Sequence, residues 1–470
     1  MDSKERLERM LSPRSIAVIG ASREPVKIGH ATLLNVLVSG YPGKVYPVNP
    51  NAHEIMGLKC YPSVLAIEDE VDLAVITIPA RFVPKVVREC AVKGVAGVII
   101  ISAGFGEIGG EGKVLEDQLR EIVKETGIRI IGPNTMGYKN PVDDLDASFV
   151  FGMPEPGKIA LASQSGALCI GMIHHANRER IGLSKVISVG NKIDVDDAEI
   201  IEYLNEDPDT KVIAMYIEGI KDGKKFMDAV RRCKKPIVAI KSGRTKAGAA
   251  AAATHTGSLS GSDKIYESVF RQLRIHRARD TPELFDFATV LARQPPLKGK
   301  RIGIVTNGGG AGILLSDALE MEGLEVAEIT EKTKERLRKV LPPISTPRNP
   351  VDVIGDAGFY LYESASKILL EDENVDGIIV VCVHAGYARP KEYVGALKKL
   401  VREHKGYGKP ILGCWIGGEE MESVVLDLKK EKIPVYPSTT RAAKAMRVLW
   451  DERERLEKMR KERRKRSKVN

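Results

Sequence analysis

The chain has 470 residues, 43% hydrophobic and 29% charged, with a formal net charge of +9; that supports about three domains and excludes a disordered protein or a disulfide-built scaffold. Its six cysteines form no C-x-x-C pair, and no apolar run reaches the roughly 18 residues of a membrane span. The first fifteen residues lack the apolar core of a secretory signal, so the expectation is a cytoplasmic protein with no membrane contact and no metal site.

In chain order, a short amphipathic helix over 4–11 leads into a buried strand over 15–20. A helix near 28–39, strands at 44–48 and 71–78, a helix at 81–93, a strand at 96–101, a helix at 112–126 and a strand at 128–131 follow. Continuous apolar strands between amphipathic helices predict a parallel sheet covered on both faces. The proline-bearing stretch 140–156 reads as a linker. A second α/β unit runs through a strand and glycine turn at 158–166, a helix at 167–179, a strand at 184–190, a helix at 196–205, strands at 212–219 and 236–243, and helices at 265–275 and 281–293. Pro295 and Pro296 mark a boundary. The third unit opens with a strand and glycine turn over 301–312, continues with strands at 376–383 and 409–415, and closes with a helix at 439–450. The predicted fold class is α/β, with three Rossmann-like or flavodoxin-like parallel-sheet domains over 1–140, 141–296 and 297–450. Residues 451–470 form a charged tail, read as a solvated helical extension that frays. It holds ten Lys and Arg but also five Asp and Glu, a mixture that argues against nucleic-acid binding. Only four glutamines among many charged residues point to a thermophile.

The strand ends carry the chemistry. The first strand runs into Gly20-Ala-Ser-Arg-Glu-Pro-Val-Lys-Ile-Gly29, a longer spacing than the G-x-G-x-x-G dinucleotide fingerprint. The second strand ends in Val48-Asn49-Pro50, where that fold would offer an acid to a ribose. Gly20, Ser22, Arg23 and Lys27 therefore read as contacts for a ligand with several phosphates. Pro79, Ser102, Ala103 and Gly104 lie along the same C-terminal edge. Two further turns, Ser163–Ala167 with Ser165 and Gly166, and Asn307–Gly312 with Gly309 and Gly310, each follow a buried strand and open a helix. Each offers backbone N–H groups and the positive end of a helix dipole to an anion. Asn134, between Gly132 and Gly137, has a donor and an acceptor to orient a thioester or an amide, and Gly190, Asn191 and Lys192 form a similar turn after the strand at 184–190. Asp194 and Asp196 would repel phosphate unless a metal or a lysine sits between.

Residues 241–263 read KSGRTKAGAAAAATHTGSLSGSD. His255 stands among small residues with almost no side chain to bury, and an imidazole is a competent nucleophile near neutral pH. One reading of the run is a mobile loop that accepts a group in one place and delivers it in another; the other is an Ala-rich helix with a surface histidine. Glu218, ending a strand in Tyr-Ile-Glu-Gly, is placed to hold the second ring nitrogen. A phosphohistidine held between two helix N-termini fits the two glycine turns.

In this order, GASREPVKIG, GPNTMG, LASQSGAL, YIEG, the His255 run and NGGGAG resemble the alpha subunit of the ADP-forming acyl-CoA synthetases, the archaeal acetate–CoA ligases of the succinyl-CoA synthetase superfamily, over residues 8–450. The resemblance implies a CoA-binding domain over 1–140, a ligase-CoA domain with the phosphohistidine loop over 141–296 and a succinyl-CoA synthetase-like domain over 297–450. It implies that Ser22, Arg23 and Lys27 lie near the CoA phosphates, that His255 is phosphorylated and oriented by Glu218, and that Ser165–Gly166 and the helix after Gly309–Gly310 steady the phosphoryl group. Asn191 falls near the acyl and inorganic phosphate site. Thr135 departs from the cysteine that relatives often carry. The implied reaction turns acyl-CoA, ADP and phosphate into acid, ATP and CoA through an acyl phosphate. The resemblance makes coenzyme A and inorganic phosphate the expected ligands of this chain. ADP, ATP and Mg2+ fall to a beta subunit with an ATP-grasp domain, in an α2β2 assembly acting on acetyl-CoA or another acyl-CoA. The competing readings are a CoA-binding regulatory protein and a subunit of a protein acetyltransferase, which would need a domain for which no residues remain.

Overall fold

The computed structural model describes residues 1–256, 262–354, 358–384, 390–403, 407–431 and 433–466, excepting the side chains of residues 252–256, 359, 390–393, 396, 420, 463, 465 and 466. Contacts divide the chain into two units, Met1–Thr281 and Pro282–Asn470.

The first unit holds two large sheets. One is five-stranded and wholly parallel, in the order Lys44–Val48, Ser15–Ile19, Leu73–Ile76, Gly97–Ile100 and Arg129–Ile131. Its strands are buried along most of their length, as expected for a sheet with helices on both faces. The helix Ile28–Val38 starts against the first strand's exit. A Cβ on Gly29 would lie 1.9 Å from the Gly20 carbonyl oxygen, and Gly20 itself has φ +93°. Only glycine permits both the reversal and the approach.

The other sheet has seven strands, in the order His276–Ala278, Ile237–Lys241, Val212–Ile217, Pro156–Ser163, Leu183–Ser188, Gly137–Asn140 and Leu145–Ser148. The first five are mutually parallel and the last two are antiparallel. The expected linker at 140–156 is thus corrected, because Gly137–Asn140 and Leu145–Ser148 form a buried hairpin that extends this sheet. Its polar residues deceive a sequence reading because they are paired inside. Lys139 is fully buried against Asp146 and the Val150 carbonyl, and Ser148 donates to Asp146 at 2.7 Å.

The two sheets are fastened together within the unit. Asn35, on the helix Ile28–Val38, donates to the Ser148 and Val150 carbonyls at 2.9 and 3.2 Å, and the Tyr138 hydroxyl donates to the Leu11 carbonyl at 2.8 Å. Arg129 donates to Asp194 at 2.9 Å and to Glu199 at 2.7 Å. Asp196 caps the helix Asp197–Glu206. Asp194 and Asp196 therefore serve structure.

Lys246–Thr256 is helical, so the expected loop does not include the backbone of residues 246–256. The His255 side chain and residues 257–261 lie outside the described residues.

The second unit is a parallel sheet in the order Glu325–Val326, Arg301–Thr306, Gly377–Val383, Ile411–Ile416 and Val435–Tyr436, with Val351–Asp352 also pairing Arg301–Thr306. The helix Thr281–Arg293 packs here: Asp286 accepts from Arg441 at 2.6 and 2.8 Å, and Glu283 from Lys444 at 2.7 Å. The contact division thus falls at Pro282, ahead of the prolines at 295–296. The last helix runs over Thr439–Arg466, so the extension is helical as expected. Glu452 and Arg455 are buried as an ion pair, and the expectation of a fully solvated extension from residue 451 is corrected to that extent. Among the described residues no helix is long and apolar enough to cross a membrane.

Two glycines give opposite expectations. Gly29→Ala has no room and should cost about 1–3 kcal/mol. Gly171 sits exposed inside the helix Gly166–Arg178, and a Cβ added there would meet nothing within 4 Å, so Gly171→Ala should add about 0.5–1 kcal/mol. Unfolding midpoints of the two variants should move to opposite sides of the parent chain.

Candidate active site

The C-terminal edge of the five-stranded sheet gathers most of the residues singled out for a phosphate-rich ligand. Gly20 leaves the first strand beside Thr77, whose N–H donates to the Ile19 carbonyl at 2.9 Å. The Ser102 hydroxyl donates to the Ile78 carbonyl, next to Pro79, and the Asn134 N–H donates to the Ser102 carbonyl at 2.9 Å. Pro79 and Ala103 are exposed along this rim, while Ser102 and Gly104 are half-buried.

On the first turn, Ser22 is buried and its hydroxyl accepts the Glu24 N–H at 3.1 Å. Lys27 is exposed and tied to Glu24 at 2.7 Å, which offsets part of the charge expected to meet phosphate. Arg23 is exposed and makes no ion pair among the described residues. Of the two cations it is the one with its charge uncommitted.

The rim continues onto the second sheet. Gly190, at φ +60°, passes so close to the Asn134 turn that a Cβ would lie 2.2 Å from the Pro133 carbonyl oxygen. The Asn191 N–H donates to that same oxygen at 2.9 Å, and the Asn134 side-chain amide reaches Asn191 Oδ1 at 3.4 Å. Lys192, buried, donates to Asp197 at 2.8 Å and to the Gly219 carbonyl at 2.7 Å. From the other side, Gln164 Oε1 accepts the N–H groups of Glu218 and Gly219 at 2.9 and 3.0 Å, while its Nε2 donates to Asp197 at 2.7 Å. Ser165 caps the helix Gly166–Arg178 by accepting the Leu168 N–H at 3.2 Å.

These contacts place Glu218 beside the Ser165 turn and join both, through Lys192 and Asn191, to the edge of the first sheet. The Glu218 carboxylate is half-buried and makes no hydrogen bond or ion pair among the described residues. Gly309 and Gly310 belong to the second unit. There they open the helix Gly309–Met321, are exposed, and follow a turn pinned by Asn307, which exchanges two 2.8 Å hydrogen bonds with Val383.

Gln164, Asp197 and Lys221 were not singled out from the sequence, whereas Lys192 was, and the fold pairs it with Asp197 and the Gly219 carbonyl. Gln164 lies inside the LASQSGAL motif, and that is the only signal it gave; the others are ordinary charged residues until the fold pairs them. Lys221 Nζ donates to the Asn191 and Lys192 carbonyls at 2.8 and 2.9 Å. Desolvation and the nearby Arg120 charge push its pKa down to about 8.

The CoA binding domain family matches residues 14–141, the succinyl-CoA ligase like flavodoxin domain matches 156–291, and the ligase-CoA domain matches 302–452. The ligase-CoA description thus falls on the third region and the flavodoxin description on the second, the reverse of the labels implied by resemblance. The chain is 44% identical over 452 residues to the alpha subunit of acetate–CoA ligase [ADP-forming] I of Pyrococcus furiosus, covering 94% of this chain and 97% of the relative. It belongs to the ADP-forming acetate–CoA ligase family, as an alpha subunit. It is 39% identical to acetate–CoA ligase [ADP-forming] I of Archaeoglobus fulgidus, of which it covers 63%. Among solved structures it is similar to the dinucleotide forming acetyl-coenzyme A synthetase 1 of Ca. Korarchaeum cryptofilum in complex with phosphate and ADP, with a TM-score of 0.92 at 38% identity, over 97% of this chain and 98% of that one.

The charge of Arg23 is free to meet a phosphate, that of Lys27 only in part. Arg23→Ala should weaken CoA binding about tenfold at low salt. Lys27→Ala should do less, and both losses should shrink as salt rises. Titration calorimetry with CoA at two ionic strengths checks the order.

Proposed function

We propose that this chain is the CoA- and phosphohistidine-bearing half of an ADP-forming acyl-CoA synthetase, converting acyl-CoA, ADP and phosphate into acid, ATP and CoA. The carrying observation is the continuous rim from Gly20 through Ser102, Asn134 and Asn191 to Glu218, which ends on a half-buried carboxylate with no partner among the described residues. Such a rim lets one ligand span from phosphates at the first turn to a thioester near Asn134 and Asn191.

In the first step a phosphate oxygen attacks the thioester carbonyl carbon, the C–S bond breaks, and CoA leaves as its thiol after taking a proton. The acyl phosphate remains near Asn191. In the second, an imidazole nitrogen of His255 attacks phosphorus and the bond from phosphorus to the acyl oxygen breaks, releasing the acid. Glu218 accepts the N–H of the other ring nitrogen, fixing the tautomer and stabilising the cation that forms. The Ser165–Gly166 helix start supplies N–H groups to the phosphoryl oxygens, and the Gly309–Gly310 helix start is assigned the same role. In the third step a terminal oxygen of ADP attacks phosphorus and the N–P bond breaks. Positioning and charge do most of this work.

ADP with Mg2+ is assigned to a separate beta subunit, in an α2β2 assembly. The 44% identity to a relative that is an alpha subunit supports that assignment.

The chain mixed with its beta subunit, acetyl-CoA and labelled phosphate should acquire acid-labile, base-stable label. His255→Asn should abolish it, and label surviving that substitution would overturn the assignment. Glu218→Gln should slow labelling by about 10²-fold with CoA affinity nearly unchanged. In a coupled assay, ATP should form only when both polypeptides and Mg2+ are present. Full activity from the chain alone would defeat the two-subunit reading.

A further inference from the structure

The turn leaving the strand Gly97–Ile100 already holds an anion, and it is the protein's own. Glu107 folds back so that Oε1 accepts the N–H groups of Gly104 at 2.5 Å and Phe105 at 3.1 Å, while Oε2 accepts the Asn191 side-chain amide at 2.6 Å. The first two donors belong to the edge of the five-stranded sheet and the third to the seven-stranded one. Burial raises the carboxyl's pKa, but the donors of Asn191, Gly104 and Phe105 outweigh it and leave the group below the usual carboxylate range. What sits in this cradle is a CH2–COO− group, gripped by two main-chain N–H groups and one amide N–H.

The surroundings allow that group to leave without dismantling the donors. Phe105 is fully buried and anchors the two amides. Beyond Glu107 the chain passes through Gly109 at φ +68° and Gly110 at φ +48°, where an added Cβ would meet nothing within 4 Å, and Ile108 is 68% exposed. The next carboxylate, Glu116, is held separately. It accepts the Gly106 N–H and the second Asn191 N–H, each at 3.1 Å, and pairs with Arg120. Lys221 donates to the Asn191 carbonyl behind the cradle at 2.8 Å.

We propose that Glu107 occupies the seat of the acid. The carboxylate of a monocarboxylic acid exchanges with Glu107 in the cradle of Gly104, Phe105 and Asn191. Glu107 is then a positioning residue that keeps the donors ordered in the free chain and competes with the acid, favouring its release. The identity of the ligand as the acid of the ligase reaction rests on the function proposed above; the cradle's preference for a carboxylate does not need turnover.

The test uses the full chain and sodium acetate. Hydrogen exchange is followed by mass spectrometry in peptides covering Gly104 and Phe105. In the parent chain these amides should be protected without acetate. In Glu107→Ala protection should be lost and then restored by acetate, while the same acetate should change the parent little, because Glu107 already fills the cradle. CoA titration verifies that the variant is folded. If Glu107→Ala does not bind CoA, Glu107→Gln, which keeps the volume and one acceptor oxygen, carries the same test with a smaller initial loss of protection. Failure of acetate to restore protection in the folded variant overturns the proposal, as does restoration by inorganic phosphate but not by acetate. Because the readout needs neither ADP nor the beta subunit, a negative result leaves the ligase assignment standing. Absence of ATP formation would in turn leave the exchange result intact.

Discussion

Where the Gly190 side chain would be, the Pro133 carbonyl oxygen is. That backbone-to-backbone approach is the constraint on which the rest of the site depends. Any Cβ at 190 would push the turn after Leu183–Ser188 away from the turn after Arg129–Ile131. The Asn191 N–H would then lose Pro133, the two asparagine amides would part, and Glu107 would lose its third donor. A ligand reading both sheets at once needs this seam fixed to a few tenths of an ångström, which main-chain contacts achieve better than long side chains.

Buried charge locks the seam from behind. Arg129 is 4% exposed, yet its guanidinium is satisfied by Asp194, Glu199 and the Ser3 carbonyl. Ion pairs of this kind contribute little net stability, because desolvation offsets their attraction. They penalise misplacement instead: any sliding of one sheet past the other would strand a charge in a low-dielectric interior. Lys192 and Asp197 repeat the device nearer the site, where Asp197 also receives Gln164 and so couples the Lys192 turn to the Glu218 turn.

The alternation of apolar strands and amphipathic helices made the three α/β domains readable from sequence, because burial on both sheet faces leaves a periodic trace. The glycine turns were legible for a related reason, since Gly20 and Gly190 each answer a backbone demand that no other residue meets. The hairpin at 137–148 was not legible. Lys139, Asp146 and Ser148 look like surface until their mutual hydrogen bonds are known, and Pro141 suggests a linker. Glu107 and Gln164 were missed because hydrogen bonds from side chain to distant main chain leave no pattern in sequence spacing. The Ala-rich approach to His255 was open between loop and helix on composition alone, since alanine satisfies both the helix propensity and the small-residue requirement.

The hairpin also bears on how the chain can be divided. Leu145–Ser148 ends the seven-stranded sheet, and Asn35 of the helix Ile28–Val38 bonds to the main chain of Ser148 and Val150. The first domain thus acts as a lid on an otherwise open row of strand hydrogen-bonding groups. Cutting between the two domains would bare that edge, and a bared edge strand is a template for pairing with another copy. At the opposite end the sheet finishes in a strand of only three residues, His276–Ala278, too short to offer much of a template. Evolution could therefore separate the third domain from this pair, or attach new domains to it, more readily than it could separate the first two from each other.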